Sequence, residues 1–420
     1  MGIGIREDPT MRKKVARTHC LNWLEQFRDR PLIKVLTGMR RVGKSTILQM
    51  FAQSLRRKGV PASRIVMLNF EELENEPLRD AKTLHGFLKG KLAKGKTTYI
   101  FLDEIQKVER YEEVLDSLYV KKGVDLYVTG STANLFSSEI ATALTGRYVE
   151  INVLPFSFAE MTAAVGGKIG DANERRRFMD YLTYGALPES FAFRAGSPEQ
   201  REYVESVYRT ILEKDVLKRN KEGGRMLVGQ ILKYMADNIS SLTSPKRMAD
   251  RLNANGVKVS ANTVSSYLDI MADCYFLYKA DRFDVKGGEM LKLIHKYYLT
   301  DFGFKCYILA NPDIELQQLL ENTVYLELLR RRYKVATGKV ADKEVDFVVK
   351  GSDGIIRYIQ VAVTIATREK FQQETAAFAA IADNYPRYVL TLDDVFVADR
   401  SGIQVINAID FLAGRVDLIR

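Results

Sequence analysis

One glycine-containing loop constrains this chain more than any other feature. Residues 32–37 (LIKVLT) are an apolar run typical of a buried strand, the loop GMRRVGKS follows, and TILQMFAQSLRRKG then carries apolar side chains at helical spacing. Strand, glycine loop and helix in this order are typical of a phosphate-binding loop. Glycine suits such a loop because backbone N–H groups must curl around phosphate oxygens at angles that a Cβ disfavours. The sequence therefore predicts a nucleotide site in an α/β domain with a parallel sheet.

The loop residues have predicted tasks. Lys44 would reach the β and γ phosphates, Ser45 would ligate Mg²⁺, and the following helix would direct its N-terminal dipole at the phosphates. Arg40 and Arg41 either touch phosphate or face solvent. The predicted nucleotide-binding residues of the loop are Gly38, Arg40, Arg41, Val42, Gly43, Lys44, Ser45 and Thr46.

A second strand predicts the chemistry of the site. Residues 97–108 (TTYIFLDEIQKV) bring Asp103 and Glu104 to the carboxyl end of a strand, the edge at which open α/β sheets bind ligands. Asp103 would hold Mg²⁺, and Glu104 would orient and polarise a water molecule. Such a pair favours ATP hydrolysis over phosphoryl transfer to another substrate. The alternative is a surface acidic pair after a strand.

Two further elements add candidate catalytic groups. The strand at residues 125–129 ends near Thr129 and Ser131, and either hydroxyl could lie near the γ-phosphate. Arg147 stands between a predicted helix and a strand. It could neutralise charge in the transition state, within its own chain or across a subunit interface, or it could form a structural ion pair.

Composition excludes several classes of protein. With 420 residues, 46% of them hydrophobic and 28% charged, the chain is expected to fold into about two to four domains. No apolar run reaches the roughly 20 residues of a transmembrane helix, and no signal peptide is evident, so we expect a cytoplasmic protein without a membrane partner. Three cysteines and three histidines lie far apart, which disfavours disulfides and zinc. The net charge of +10 suggests an anionic partner.

Several motifs in fixed order carry a family resemblance. GMRRVGKS, YIFLDEIQ, YVTGSTANL, LTGRYVEINVLPFSFAEM and YGALPE resemble the prokaryotic AAA-superfamily ATPases with a C-terminal domain of uncharacterised function. The resemblance implies an α/β fold with an AAA-type core (1–154), a helical lid (155–224), a winged helix (225–300) and a nuclease-like PD-(D/E)xK domain (301–420). The segment at 185–188 resembles the GxP motif of STAND-type ATPases, in which Pro188 would pack near the adenine. A plain helix-breaking turn is the alternative.

A helix-turn-helix pattern occupies residues 226–283, with KLIHKYYLT (292–300) as a candidate wing strand. If the module binds duplex DNA, the third helix would face the major groove with Asn262, Thr263, Ser266 and Tyr267. Basic side chains would contact phosphates; they are Lys246, Arg247, Arg251 and Lys258. Because the third helix has few basic residues, docking of a protein partner is the alternative.

The C-terminal segment departs from the nuclease pattern. Glu321 and Asp346 fit the order of that fold, but the strand that should carry an acid and a lysine offers Gln360-Val361-Ala362. Phosphodiester hydrolysis with Mg²⁺ needs carboxylates and usually a lysine. We therefore expect a degenerate site that lacks nuclease activity, in which these acids could be purely structural.

These observations predict a Mg²⁺-dependent ATPase whose nucleotide state controls the winged helix and the nuclease-like domain, with DNA as the expected ligand. The alternative is a STAND-like signalling or scaffold ATPase that acts through protein partners. Sequence alone leaves the oligomeric state open.

Overall fold

The computed structural model describes residues 15–131, 146–219, 224–309, 315–394 and 402–418. Contacts divide the chain into two compact units. Unit 1 comprises Met1–Val153 with Asp273–Tyr275, and unit 2 comprises Leu154–Ala272 with Phe276–Arg420. No helix within these described ranges is both long and apolar enough to span a bilayer.

Unit 1 is built on a parallel sheet of five described strands in the order β2-β3-β4-β1-β5. Every residue of β1 and β3 is buried, as expected for a sheet covered on both faces. The strands are β1 (Ile33–Thr37), β2 (Ile65–Asn69), β3 (Thr98–Asp103), β4 (Val124–Thr129) and β5 (Tyr148–Asn152). The described helices are α1 (Thr18–Gln26), α2 (Lys44–Arg57), α3 (Ala81–Lys91) and α4 (Tyr111–Tyr119).

Packing in unit 1 fixes the sheet between two apolar layers. One layer joins the strands to α3 and α4 through a cluster that includes Leu84, Ile100 and Leu115. Phe51 of α2 packs on the other side with Phe101 and Tyr127, whose rings stack at 4.7 Å between centroids. This order of strands places the carboxyl ends of β1, β3 and β4 side by side, so that the residues following them share one edge.

Unit 2 begins with helices and ends in a mixed sheet. Its helices up to the sheet are α5 (Phe158–Ala164), α6 (Glu174–Tyr184), α7 (Pro198–Ile211), α8 (Gly224–Asp237), α9 (Pro245–Ala254) and α10 (Ala261–Asp273, whose last residue is assigned to unit 1). The sheet has seven described strands in the order β12-β11-β10-β9-β8-β6-β7.

The sheet of unit 2 combines a hairpin with a later α/β segment. The hairpin pairs β6 (Leu277–Asp284) with β7 (Glu289–Leu299). The remaining strands are β8 (Lys334–Val340), β9 (Lys343–Lys350), β10 (Ile356–Ala362), β11 (Arg387–Thr391) and β12 (Ile403–Asn407). The remaining helices are α11 (Gly303–Leu309), α12 (Leu316–Arg330), α13 (Arg368–Thr375) and α14 (Ala408–Leu412). Of these helices, α12 contacts β8 and β10.

Three helices and a hairpin are found where the sequence predicted a helix-turn-helix and ribbon. Ser260 caps α10 by accepting a hydrogen bond from the Thr263 amide at 3.0 Å. The hairpin differs from a free-standing wing, because β6 pairs in parallel with β8 through Arg282–Asp284. The expected boundary at residue 300 therefore runs through one continuous sheet.

Candidate functional site

The loop between β1 and α2 has the backbone that its glycines allow. Gly38 and Gly43 have φ angles of 136° and 95°, and Arg41 also adopts a positive φ of 67°. Gly43 is the N-cap of α2 and provides no side-chain cap, so the first amides of this helix are donors for an anion. A Cβ on Gly38 would meet the backbone of Val153, which explains why glycine is needed there.

The Lys44 side chain is buried inside this loop. Its ammonium donates to the carbonyls of Gly38 at 2.9 Å and Met39 at 3.0 Å. It also lies 3.9 Å from a carboxylate oxygen of Glu104. The predicted phosphate-binding lysine and the predicted water-activating glutamate therefore share one small site.

Thr129 connects the two acidic residues at the end of β3. Its hydroxyl donates to Asp103 Oδ1 at 2.5 Å and accepts a hydrogen bond from the Glu104 amide at 2.9 Å. Burial raises the pKa of Asp103, while hydrogen bonds from Ser45 and Thr129 and the charge of Lys44 act in the opposite direction. Asp103 thus lies between the predicted Mg²⁺ ligand of the loop and the predicted hydroxyl of β4.

Sequence reasoning missed Gln106, which contacts the Glu104 carboxylate. The Gln106 amide lies 2.5 Å from Glu104 Oε2 and 3.3 Å from the hydroxyl of Ser131, which is buried. Gln106 therefore restrains the direction in which Glu104 points. Its position two residues after the acidic pair is the sequence feature from which this contact could have been predicted.

The other loop residues differ in burial and in the partners of their side chains. Arg40 approaches Glu71 with 3.8 Å between charged atoms, and the Arg41 residue is exposed. Val42 is buried, and its carbonyl accepts a hydrogen bond at 2.9 Å from Arg17, which the sequence did not single out. Thr46 is half-buried in the first turn of α2. Contact of these side chains with nucleotide stays a prediction.

Arg147 lies at the end of the parallel sheet opposite to the loop. It precedes β5 at the edge where β1 begins, and its carbonyl accepts from the Ile33 amide at 2.9 Å. The loop leaves the opposite end of β1, about 13 Å away at 3.3 Å per residue. Its guanidinium pairs with Asp116 and lies over the Tyr119 ring, 5.4 Å from the centroid. These contacts match the structural ion pair that the sequence allowed, and a role of Arg147 at a γ-phosphate stays a prediction.

In unit 2, the segment at 185–188 is anchored on Asp301. This carboxylate is buried and accepts hydrogen bonds from the amides of Ala186 at 2.7 Å and Gly303 at 2.9 Å. Burial raises the pKa of Asp301 to about 6, and its backbone hydrogen bonds oppose that shift. Pro188 begins the short helical turn that follows. Contact of Pro188 with adenine stays a prediction.

The residues predicted to contact DNA divide into two groups. Tyr267 is fully buried, so its expected position in the major groove is wrong; it belongs to the core face of α10. Thr263 is half-buried and shares a hydrogen bond with Ser260. The others are exposed on α9, on α10 or between them; they are Lys246, Arg247, Arg251, Lys258, Asn262 and Ser266.

The structure brings together the residues of unit 2 that the sequence assigned to a nuclease-like site, and it adds a lysine to them. Glu321 of α12 and Asp346 of β9 are buried, and the Asp346 amide lies 3.4 Å from the side-chain oxygen of Gln360 on β10. The Lys296 ammonium of β7 lies 2.8 Å from Glu321 and 3.4 Å from Asp346. It also lies 2.6 Å from Glu344. Sequence reasoning missed Lys296 and Glu344.

Electrostatics in this cluster follow from its burial. Burial lowers the pKa of Lys296, but Glu321, Asp346 and Glu344 together reverse the effect and raise it. Burial raises the pKa of Glu321 to about 8 despite the neighbouring ammonium. No group of three His, Cys, Asp or Glu side chains within the described ranges is arranged to hold a metal ion.

Comparison with known families assigns the first part of the chain. Residues 30–162 match the model of an AAA domain, and residues 175–315 match a domain of unknown function. Together with the loop and the parallel sheet, the first match makes unit 1 a P-loop domain of the AAA superfamily.

Two relatives extend along most of the chain. An uncharacterised protein of Haemophilus influenzae is 33% identical over 402 residues, covering 95% of this chain and 98% of that protein. An uncharacterised protein of Methanocaldococcus jannaschii is 27% identical over 388 residues, covering 86% of this chain and 80% of that protein. Among solved structures, the Walker-type ATPase of Pyrococcus abyssi aligns with a TM-score of 0.49 and 15% identity, covering 74% of this chain and 100% of that one.

Proposed function

We propose that this chain, which belongs to the family of the Haemophilus influenzae protein and carries an AAA domain, is a Mg²⁺-dependent ATPase. We also propose that its nucleotide state controls DNA binding by unit 2. The observation that carries the first proposal is the hydrogen-bonded group of Asp103, Thr129 and Glu104 beside the buried Lys44.

The residues of the loop fit ATP with Mg²⁺. The positive φ angles of Gly38 and Gly43 turn the backbone around the Lys44 ammonium, and Gly43, the N-cap of α2, has no side chain that could cap the first amides of the helix. Lys44 and these amides would hold the phosphates. Ser45 and Asp103, which already share a hydrogen bond, would hold the cation. Bound Mg²⁺ supplies charge neutralisation at the phosphates.

Glu104 is suited to activate water. Its carboxylate is buried and held by the amide of Gln106, and its backbone is fixed by the Thr129 hydroxyl. A fixed carboxylate can accept a proton from a water molecule aligned on phosphorus. The same side chain lies 3.9 Å from the Lys44 ammonium, so both groups share the site of the terminal phosphate. These contacts favour hydrolysis over transfer to an acceptor.

Glu104→Gln is expected to retain ATP binding and to lower the hydrolysis rate by about 100-fold or more, because the amide cannot take the proton. Lys44→Ala should lose nucleotide binding. Phosphate release and binding of a fluorescent ATP analogue measure the two effects. Glu109→Gln is the matched control, because it makes the same change at an exposed glutamate of the same segment. Hydrolysis by Glu104→Gln at the unmodified rate would refute the role given to this residue.

We propose that Arg147 completes the site of a second copy of the chain. Its side chain is 38% exposed, and its ion-pair partner Asp116 is 46% exposed, so the guanidinium is accessible. An arginine supplied in trans stabilises transition-state charge in other P-loop enzymes.

Arg147→Ala should lower hydrolysis by more than about tenfold, because the transition state loses a positive charge. Asp116→Asn should leave hydrolysis nearly unchanged, because it breaks the same exposed ion pair but keeps the arginine. Mixing Arg147→Ala chains with Lys44→Ala chains should restore part of the activity. Equal, small effects of the two single changes would make Arg147 a structural residue.

DNA binding is supported by the exposed basic side chains of α9 and of the turn after it. Lys246, Arg247 and Arg251 lie on the second helix of the three-helix segment, and Lys258 lies in the turn. Such side chains suit phosphate contacts that are independent of sequence and sensitive to salt.

A specific observation favours the second candidate function, docking of a protein. The third helix, α10, contains no lysine or arginine and carries Asp269 and Asp273. A helix that reads DNA bases would be expected to carry positive charge. The scaffold function therefore stays as the alternative.

The two functions are separated by the affinity for labelled duplex DNA, measured as fluorescence anisotropy with Glu104→Gln to prevent turnover. For the DNA function, we expect ATP to change the affinity by at least about fivefold at low salt. The double change Lys246→Glu with Arg247→Glu should weaken binding. Lys82→Glu with Lys89→Glu, at exposed positions of α3, is the control with the same change in charge. An affinity for DNA that is the same with and without ATP would favour the scaffold function.

A further inference from the structure

The carboxylate cluster of unit 2 encloses an ammonium group from its own chain. We propose that Lys296 is the built-in counter-ion of Glu321, Glu344 and Asp346, and that it excludes a divalent cation from this nuclease-like site. The inference concerns unit 2 alone and is independent of the ATPase proposal.

The Lys296 ammonium contacts one carboxylate oxygen of each acidic residue. It donates hydrogen bonds to Glu321 at 2.8 Å and to Asp346 at 3.4 Å, and it forms an ion pair with Glu344 at 2.6 Å. A divalent cation such as Mg²⁺ would draw carboxylate oxygens to about 2.1 Å. The Lys296 side chain is only 3% exposed, so it fills the space between the acids.

Other groups already occupy the oxygens that a metal would need. Asp346 directs Oδ1 at Lys296 and accepts the Val361 amide on Oδ2 at 2.9 Å. The Glu321 oxygen that faces Lys296 also accepts the Tyr298 hydroxyl at 2.8 Å. Metal binding at these oxygens would place a divalent cation beside the buried Lys296 ammonium, which is strongly repulsive at low dielectric. The residues therefore do not fit the metal that a nuclease-like fold implies.

The position of Lys296 on β7 explains why β10 lacks the lysine that the nuclease pattern expects. The strand β10, where the nuclease pattern expects a lysine, has the buried apolar Ala362 at that position. The positive charge comes instead from β7 in the hairpin, which reaches α12 and β9 through Lys296. Lys296 thus joins three elements that are far apart in sequence. The cluster serves to hold the hairpin to the C-terminal sheet.

The test is electron paramagnetic resonance of Mn²⁺ with the nucleotide-free chain of 420 residues. Every sample carries Asp103→Asn, which removes the carboxylate proposed to hold a cation at the P-loop. With Lys296 present, we expect no bound Mn²⁺ that depends on Asp346. Lys296→Ala should gain one bound Mn²⁺ per chain, because it removes the ammonium and keeps the three acids. The added change Asp346→Asn should abolish that gain.

Three outcomes would overturn the proposal. The first is a bound Mn²⁺ in the chain with Lys296 that disappears on Asp346→Asn, and the second is a folded Lys296→Ala chain that gains no Mn²⁺. If Lys296→Ala fails to fold, refolding by millimolar Mn²⁺ becomes the readout. Recovery with Mn²⁺ but not with an equal ionic strength of Na⁺ supports the proposal, and no recovery is the third contrary outcome.

Discussion

The hydroxyl of Thr129 is the contact on which the candidate catalytic site depends. It joins the last residue of β3 to the backbone of Glu104 from the neighbouring strand β4, so the register of two strands sets the position of both acids. Ser45 reaches Asp103 from the other direction. The buried carboxylate of Asp103 therefore connects the loop, the ends of β3 and β4 and the start of α2. Its position depends on the order of the strands in the parallel sheet.

Buried charge is handled differently in the two units. In unit 1, the carbonyls of the loop hold the Lys44 ammonium, and the Glu104 carboxylate lies 3.9 Å from it, inside a loop whose backbone suits an anionic ligand. In unit 2, three carboxylates surround Lys296, so its charge is already matched within the chain. Two lysines of similar burial are thus suited to opposite purposes, one to binding and one to structure.

Sequence predicted the parts of the site that are local in the chain. The loop and the acidic pair Asp103 and Glu104 are contiguous patterns, so their strand and helix context was readable from spacing. The role of Arg147 stayed open because a position between helix and strand does not tell which edge of the sheet it occupies. Tyr267 was misplaced because its helical spacing with Val264 and Leu268 belongs to the core. Lys296 and its acids lie 25 to 50 residues apart, and only the fold joins them.

We propose that unit 1 directs water at the terminal phosphate of ATP. The most direct measurement is a single turnover of ATP in isotopically labelled water, with Mg²⁺ or with a chelator, followed by mass analysis of the released phosphate. We expect Mg²⁺-dependent release of phosphate that carries at least one solvent oxygen. Absence of release, or transfer of the phosphoryl group to an acceptor without incorporation of solvent oxygen, would contradict it.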